Sequence, residues 1–171
     1  FGDTGETPVT LGEGWTPLLH ARRLGGRLGL DGLFVKDESL NPTNSFKARG
    51  LSAAVTRALY LGATTLSIPS AGNAGNALAA YAARAGIAPQ VFRARDAQLP
   101  FVRAGGLYGA EVTLVDGLIT DAGRVAAEMP NAIWANQFDN IVNRQAHYET
   151  TGPEIWRDTG GRIDAFVCAS G

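Results

Sequence analysis

The 171-residue sequence is poor in cysteine and histidine and has no long apolar run, and each shortage excludes a class of protein. The single cysteine, Cys168, excludes a disulfide framework within the chain, so a reduced, cytoplasmic setting is the simplest interpretation. His20 and His147 lie far apart and have no Cys or His at metal-ligand spacing, so we interpret them as ordinary polar residues. No stretch approaches the length of a membrane span. We therefore expect neither a metal site nor membrane association.

A strong charge of either sign is also missing. The chain has 15 basic and 16 acidic residues, and its formal net charge is −1. Because no basic stripe is present, a nucleic-acid partner is not expected. The sequence begins without Met and without a signal-peptide pattern, which indicates that it starts inside a longer chain. The 22 glycines are scattered without a period and predict many tight turns.

Short apolar runs alternate with longer helical patterns along the chain. This alternation predicts an α/β fold with a mostly parallel sheet flanked by helices, in three αβα layers. The predicted strands are residues 33–38, 64–69, 89–94, 111–116, 132–138 and 164–169. The predicted helices are residues 46–61, 74–86, 99–109, 118–129 and 144–159. Within this pattern Cys168 is expected to be a buried strand residue.

The first unusual loop, "SLNPTNSFK", lies where a predicted strand leads into a helix, a position where ligands bind in open parallel sheets. We predict Ser45 as the N-cap, with Phe46 and Lys47 as the first helical residues. The positive end of a helix dipole disfavours an ammonium and favours a neutral, nucleophilic amine that can form a Schiff base with a carbonyl. The alternative is a surface lysine whose charge is in water.

The second unusual loop, "SIPSAGNAGN", also follows a strand and begins a helix. Ser70, Gly72, Asn73 and Gly75 provide backbone N–H groups and short polar side chains, which suit a carboxylate or phosphate. The alternatives are a tight turn with close helix packing, or a nucleotide site, although the third glycine of a dinucleotide fingerprint is not evident. Because both loops follow successive predicted strands, we expect the sheet to bring them side by side.

The two loops together resemble those of the fold-type II pyridoxal-phosphate enzymes, the tryptophan synthase β-like family. Residues 8–128, with "LGEGWTPLL", "FVKDESLNPT" and "EVTLVDGLITDAGRVAAE", are similar to threonine synthase. Residues 131–171, with "NQF" and "TGPEIW", are similar to cysteine synthase instead. The resemblance is weakest at "FRARDAQLPFVRAGG". The resemblance therefore implies the fold and cofactor, and it leaves the substrate open.

The resemblance also implies roles for particular residues. Lys47 would form a Schiff base with the cofactor, pyridoxal 5'-phosphate. Phe46 would contact that cofactor, and Asn73 would hydrogen-bond its 3′-oxygen. The residues implied in binding the substrate carboxylate are Ser70, Ala71, Gly72, Ala74 and Gln137.

Two positions depart from the family pattern, and one part of the pattern is incomplete. Asn44 stands where Gly is usual, which strains the turn if φ is positive, and Ala48 stands where Asp is commoner. The family's Gly-rich phosphate loop is represented only by its approach, Ser170 and Gly171. The resemblance therefore implies a truncated two-domain enzyme. Residues 33–138 would form the smaller N-terminal domain, and residues 1–32 and 139–171 would belong to the large domain.

The implied activity is that of a pyridoxal-phosphate-dependent lyase or transferase of amino-acid biosynthesis. The first choice is threonine synthase, which converts O-phosphohomoserine to threonine and phosphate. The alternative is cysteine synthase (O-acetylserine sulfhydrylase). An alternative of another class is a catalytically inert fragment or fold module with weak cofactor binding. The expected partners are a small amino-acid substrate and, in the full-length parent, a second copy in a homodimer.

Overall fold

The computed structural model describes Gly5 and residues 7–169. Ser170 and Gly171, the approach to the expected phosphate loop, lie outside the described residues. The strands in the described part are β1 (Leu18–His20), β2 (Phe34–Lys36), β3 (Thr65–Pro69), β4 (Ala88–Ala94), β5 (Glu111–Val115) and β6 (Ile133–Trp134). Its α-helices are α1 (Arg22–Leu28), α2 (Lys47–Tyr60), α3 (Asn73–Ala85), α4 (Leu99–Leu107), α5 (Ile119–Ala127), α6 (Ile141–Ala146) and α7 (Gly152–Asp158).

Four strands form a parallel sheet in the order β5-β4-β3-β6. β3 and β4 pair over their whole common length, from Thr65 opposite Ala88 to Pro69 opposite Phe92. β6 pairs with β3 over two residues only. The predicted α/β fold with a mostly parallel sheet is confirmed, although the strand predicted over 132–138 is much shorter than expected.

Helices cover both faces of this sheet. Consecutive residues of a strand point to opposite faces, so Val91 and Phe92 of β4 enter different apolar clusters. Val91 packs with Leu78 of α3 on one face, whereas Phe92 packs with Ala122 and Ala126 of α5 on the other. The predicted three-layer arrangement is therefore confirmed.

The alanine-rich sequence of α3 explains its central position. Seven of its thirteen residues, "NAGNALAAYAARA", are alanine, the residue with the highest helix propensity, and their small side chains let α2 pack closely against α3. The helix ends at Gly86, whose φ of 72° is the left-handed conformation that favours glycine at a C-cap. The predicted stop at this glycine is confirmed, and α3 packs against both α2 and the turn that precedes α2.

The segment predicted as a strand at 33–38 is extended, but it does not join the parallel sheet. β2 pairs antiparallel with β1, and the two form a separate sheet. Strand β1 had no prediction because "LLH" is too short to show an alternating pattern. The membership of a strand in a sheet depends on its partner, and no local pattern encodes that partner.

The strand predicted over 164–169 is wrong. The structure has no strand there, and Phe166 and Val167 are exposed. Cys168 is also exposed, which corrects its prediction as a buried residue. An apolar run forms a strand only where a neighbouring strand supplies backbone partners, and none of the described strands pairs with this run.

The predicted helix 144–159 is interrupted by a π-helical turn, His147–Thr151, between α6 and α7. A buried ionic network holds this region against α2. Arg49 donates to both carboxylate oxygens of Glu154, at 2.7 and 2.8 Å, and also to Glu38. The Arg49 side chain is only 1% exposed, so this network links α2 to α7 away from water.

Candidate active site

The candidate site begins at the turn Pro42–Asn44, which leads into α2. Lys47 is the first residue of α2 and Phe46 is its N-cap. The prediction of Ser45 as the N-cap is therefore wrong by one residue. Its hydroxyl caps nothing, because Ser45 Oγ is buried without a hydrogen-bond partner in the described structure. The placement of Lys47 in the first turn is as predicted.

The turn before Lys47 has an unusual backbone. Asn44 has a φ of 57°, so the residue that replaces the usual glycine does occupy the left-handed region. Asn tolerates this region better than most residues. Thr43 has a φ of 63°, and a β-branched residue there is strained. Thr43 precedes Lys47 by four residues, so the strained turn leads directly into the helix that carries the predicted reactive lysine.

The two lysines of the chain have opposite surroundings. Burial lowers the pKa of Lys47, and no carboxylate of the described residues lies within ion-pair distance of its Nζ. The Lys47 Nζ is 4.7 Å from the centre of the Phe46 ring. Lys36 Nζ, in contrast, lies 3.2 Å from Glu154 and 2.8 Å from Asp158. The amine of Lys47 is therefore the one prepared to react as a nucleophile.

The loop Ser70–Ala74 turns β3 into α3. Ser70 Oγ accepts the N–H groups of Gly72 and Gly75, at 3.3 and 2.8 Å, and this shapes the turn. Asn73 is the first residue of α3 and is exposed, as is Ala71. The side chain of Ala74 is buried in the core, so only its backbone can face a ligand. The first N–H groups of a helix have no partner within it and bind anions.

The structure packs the turn of the first loop against α3, the helix that begins in the second loop, but not by the predicted route. We expected adjacent strands of one sheet to carry them, whereas β2 lies outside the parallel sheet. The turn Pro42–Asn44 instead packs directly against α3, and α2 packs against α3. The juxtaposition therefore depends on helix packing, which the alternation of strands and helices does not reveal.

Gln137 follows β6 at the same edge of the sheet as Ser70. The backbone N–H of Ala135 donates to Ser67 O, which aligns the end of β6 with the end of β3. The Gln137 carbonyl accepts from Asn143 Nδ2 at 2.6 Å, and Asn143 in turn lies against Gly50 in the first turn of α2. Gln137 Oε1 is buried without a partner in the described structure, which leaves it available to a ligand.

His147 is the residue that sequence reasoning missed. Its ring centre is 5.9 Å from that of Phe46, and its Nδ1 lies 2.9 Å from Thr151 Oγ1. Burial lowers the pKa of His147, and the charges of Arg49 and Lys47 add to this effect. A lone histidine in a helical pattern gives no signal of this position. The π-helical turn that begins at His147 does, since such turns often occur at functional sites.

The described residues fit a cofactor that carries an aldehyde and a phosphate. Lys47 supplies an amine without an ion-pair partner. Thr43 Oγ1, Ser45 Oγ and Gln137 Oε1 are buried polar atoms without partners in the described part, and such atoms call for a ligand or water. Within the same part, no group of His, Cys, Asp and Glu could hold a metal ion, and no helix is long and apolar enough to cross a membrane.

Comparison with known families gives one match over most of the chain. The sequence model described as "Pyridoxal-phosphate dependent enzyme" matches residues 9–171. This range includes both loops, the sheet and the ionic network. A match of this extent places the chain in a family.

Relatives of two kinds are found among characterised proteins. Cysteine synthase 1 of Neurospora crassa is 38% identical over 170 residues, which covers 92% of this chain and 45% of the relative. Threonine synthase of Methanosarcina acetivorans is 44% identical over 116 residues, or 67% of this chain and 29% of the relative. Threonine synthase of Mycobacterium leprae is 42% identical over 141 residues, which covers 79% of this chain and 39% of the relative. The chain thus spans less than half the length of each of these relatives.

Proposed function

The chain belongs to the family of pyridoxal-phosphate dependent enzymes, and from this premise we propose that Lys47 binds the cofactor covalently and that the loop Ser70–Ala74 binds a substrate carboxylate. The observation that carries the proposal is the position of Lys47. Its amine is desolvated, has no carboxylate partner among the described residues, and begins α2 just after the turn Pro42–Asn44, which packs against α3.

Lys47 has two roles in the proposed reaction. In its neutral form, the amine of Lys47 would hold the cofactor through its aldehyde, with release of water. When not bonded to the cofactor, Lys47 Nζ would accept and return protons at the substrate carbons. When bound, pyridoxal phosphate supplies the electron sink for this chemistry. The lowered pKa serves both roles, because it increases the fraction of uncharged amine near neutral pH.

Other residues orient the reacting groups. We assign Phe46 and Asn73 to the cofactor, the latter to its 3′-oxygen. The backbone N–H groups at the start of α3 receive the substrate carboxylate, and Ser70 shapes the turn that directs them. Gln137 Oε1 is an acceptor only, so Gln137 adds to carboxylate binding through its amide N–H₂ group.

We propose the threonine synthase reaction, in which O-phosphohomoserine gives threonine and phosphate. Its support is the identity with threonine synthases, 44% over 116 residues in one case. Cysteine synthase is the second candidate, supported by the match over 92% of this chain and by Gln137 at the edge of the site. The proposed organisation is a smaller domain over 33–138 within a homodimeric two-domain parent. An inert module is the competing hypothesis, and turnover of either substrate would eliminate it.

The direct test is a borohydride trap. The purified chain is incubated with pyridoxal phosphate, reduced and digested, and the modified lysine is identified by mass spectrometry. We expect one label per chain, on Lys47, because Lys36 Nζ is held by Glu154, Asp158 and the Thr16 carbonyl. Lys36 is thus an internal control within the same sample.

The variant Lys47→Ala sharpens this test. We expect it to fold and to lose the label without transferring it to Lys36. Equal labelling of both lysines, or labelling of neither, would mean that the chain has no organised cofactor site. Labelled chain is then assayed with O-phosphohomoserine and with O-acetylserine plus sulfide. Turnover of the first alone favours threonine synthase, and turnover of the second alone favours cysteine synthase.

A further inference from the structure

Arg93, in β4, is a fully buried arginine without a carboxylate partner in the described part of the chain. Its burial lowers the pKa of the guanidinium. A buried charge normally requires a counter-charge, because desolvation is costly. Arg93 lies in "FRARDAQLPFVRAGG", the stretch where the family resemblance is weakest, so the resemblance gives it no role.

Within the described residues, Arg93 donates hydrogen bonds only to neutral oxygens, which belong to the loop Ser70–Ala74, to α3 and to α4. Nη1 donates to Ser70 O at 2.8 Å and to Gly72 O at 3.3 Å. Nη2 donates to Asn76 Oδ1 at 2.7 Å and to Phe101 O at 3.3 Å. Arg93 Nε is buried without a partner in the described structure. The guanidinium therefore draws carbonyl oxygens of the loop inward.

The start of α3 lies directly over this guanidinium. A Cβ on Gly75 would be 3.0 Å from Arg93 Nη2 and 2.7 Å from Val91 Cγ1, so only glycine permits the approach. The N-terminus of a helix carries partial positive charge. A cation beneath it is unfavourable unless an anion is also present. The two positive groups together therefore favour an anionic ligand at the loop.

We propose that Arg93 is a positioning residue for carboxylate binding. Its hydrogen bonds to the Ser70 and Gly72 carbonyls clamp the loop Ser70–Ala74. Its positive charge, which no carboxylate of the described residues neutralises, strengthens the preference of the loop for an anion. This proposal rests on the proposed function for the identity of the anion, a substrate carboxylate. The clamp itself follows from the hydrogen bonds alone.

The test compares two probes that differ by a carboxylate, L-2-aminobutyrate and n-propylamine. Neither carries a leaving group, so binding to the cofactor-loaded chain is measured by calorimetry without turnover. Arg93→Gln removes the charge and keeps a donor. Arg95→Gln is the matched control, since it makes the same change at a side chain that is 63% exposed and paired with Asp116.

We expect Arg93→Gln to reduce the ratio of the two affinities by about tenfold and Arg95→Gln to leave it unchanged. An unchanged ratio in Arg93→Gln, with Lys47 fully labelled, would overturn the proposal. If Arg93→Gln does not fold, Arg93→Lys replaces it. Lysine retains the charge without the guanidinium fork. A fall in the affinity ratio that is smaller than tenfold therefore supports the proposal, and an unchanged ratio overturns it.

Amide hydrogen exchange separates this inference from the proposed function. In the cofactor-free chain, we expect the amides of Gly72 and Gly75, which donate to Ser70 Oγ, to exchange about tenfold faster in Arg93→Gln than in Arg95→Gln. Failure to label Lys47 in the parent chain would overturn the proposed function. In that case the amide exchange rates alone test whether Arg93 clamps the loop. Equal exchange rates in Arg93→Gln and Arg95→Gln would overturn the clamp.

Discussion

Gly50 and Gly106 are two helical glycines with opposite surroundings. A Cβ on Gly50 would overlap Asn143 Oδ1 of α6, which packs against α2. A Cβ on Gly106 in α4 would have no atom within 4 Å. The conformations of both residues permit alanine, so the difference between them is one of space alone.

We expect Gly50→Ala to destabilise the chain by about 1–3 kcal/mol, because Asn143 must move away from α2. Gly106→Ala should stabilise it by about 0.5–1 kcal/mol through helix propensity. Urea denaturation followed by circular dichroism measures both free energies of unfolding. Equal effects of the two substitutions would show that Asn143 does not restrict Gly50.

The sequence predicted the local conformation around Lys47 better than the contacts made in this region. A lysine in the first turn of a helix can be read from local residue types, and so can an asparagine that tolerates positive φ. Arg93 and His147 could not be recognised in this way. Arg93 contacts Asn76 of α3, which lies 17 positions away in the sequence. His147 contacts Phe46, which lies 101 positions away.

At the scale of elements, α7 is attached to α2 mainly by a charge pair. Burial alone raises the pKa of Glu154, but hydrogen bonds from Arg49, the Trp15 backbone and Lys36, together with the charge of Arg49, outweigh burial and lower the pKa to about 2. We expect Glu154→Gln to destabilise the chain by about 1.5–3 kcal/mol, since hydrogen bonds between charged groups are replaced by weaker ones.

The control for Glu154→Gln is Asp116→Asn. Asp116 is 83% exposed and pairs with Arg95 at the surface, so its loss should change the free energy of unfolding by less than about 0.5 kcal/mol. Both variants are measured by urea denaturation, with the m-value checked for constancy. A Glu154 variant as stable as the Asp116 variant would mean that packing, and not charge, attaches α7.

Element prediction succeeded where the pattern was local and failed where pairing was remote. The runs at 64–69, 89–94 and 111–116 became β3, β4 and β5, which are consecutive in both sequence and space. The runs at 33–38 and 164–169 have similar residue types, yet one pairs outside the main sheet and the other pairs with no described strand. Apolar character alone does not select a partner.

At the scale of the whole molecule, stability should depend on pH in two windows. His147 has a folded pKa below 6.5, so the unfolded chain takes up a proton first as pH falls through that value. The pKa of Glu154 falls from 4.5 to about 2 on folding, so its contribution is present above pH 4.5 and is lost as pH falls towards 2. Both groups make the folded chain less stable in acid.

We therefore expect the free energy of unfolding to fall as pH decreases from 7 to 5, and to fall again below 4.5. His147→Gln should flatten the first decrease and leave the second. Glu154→Gln should leave the first decrease and reduce the second, to which Glu13 and Glu38, whose pKa values are also lowered, contribute as well. Urea denaturation at a series of pH values tests this assignment. A stability that rises on acidification between pH 7 and 5 would contradict the role of His147.

The sheet order also implies a sequence of events in time. β3 is the first strand of the parallel sheet along the chain, yet it pairs with the last, and Leu66 lies opposite Ile133. β4 and β5 follow β3 after single helices, so their loops close at a smaller entropic cost. The two-residue pairing of β6 must therefore form late, and contacts so distant in sequence slow the search for the native state. In a variant whose Trp15 and Trp156 are replaced by Phe, the fluorescence of Trp134, which lies in β6, would report that final docking step.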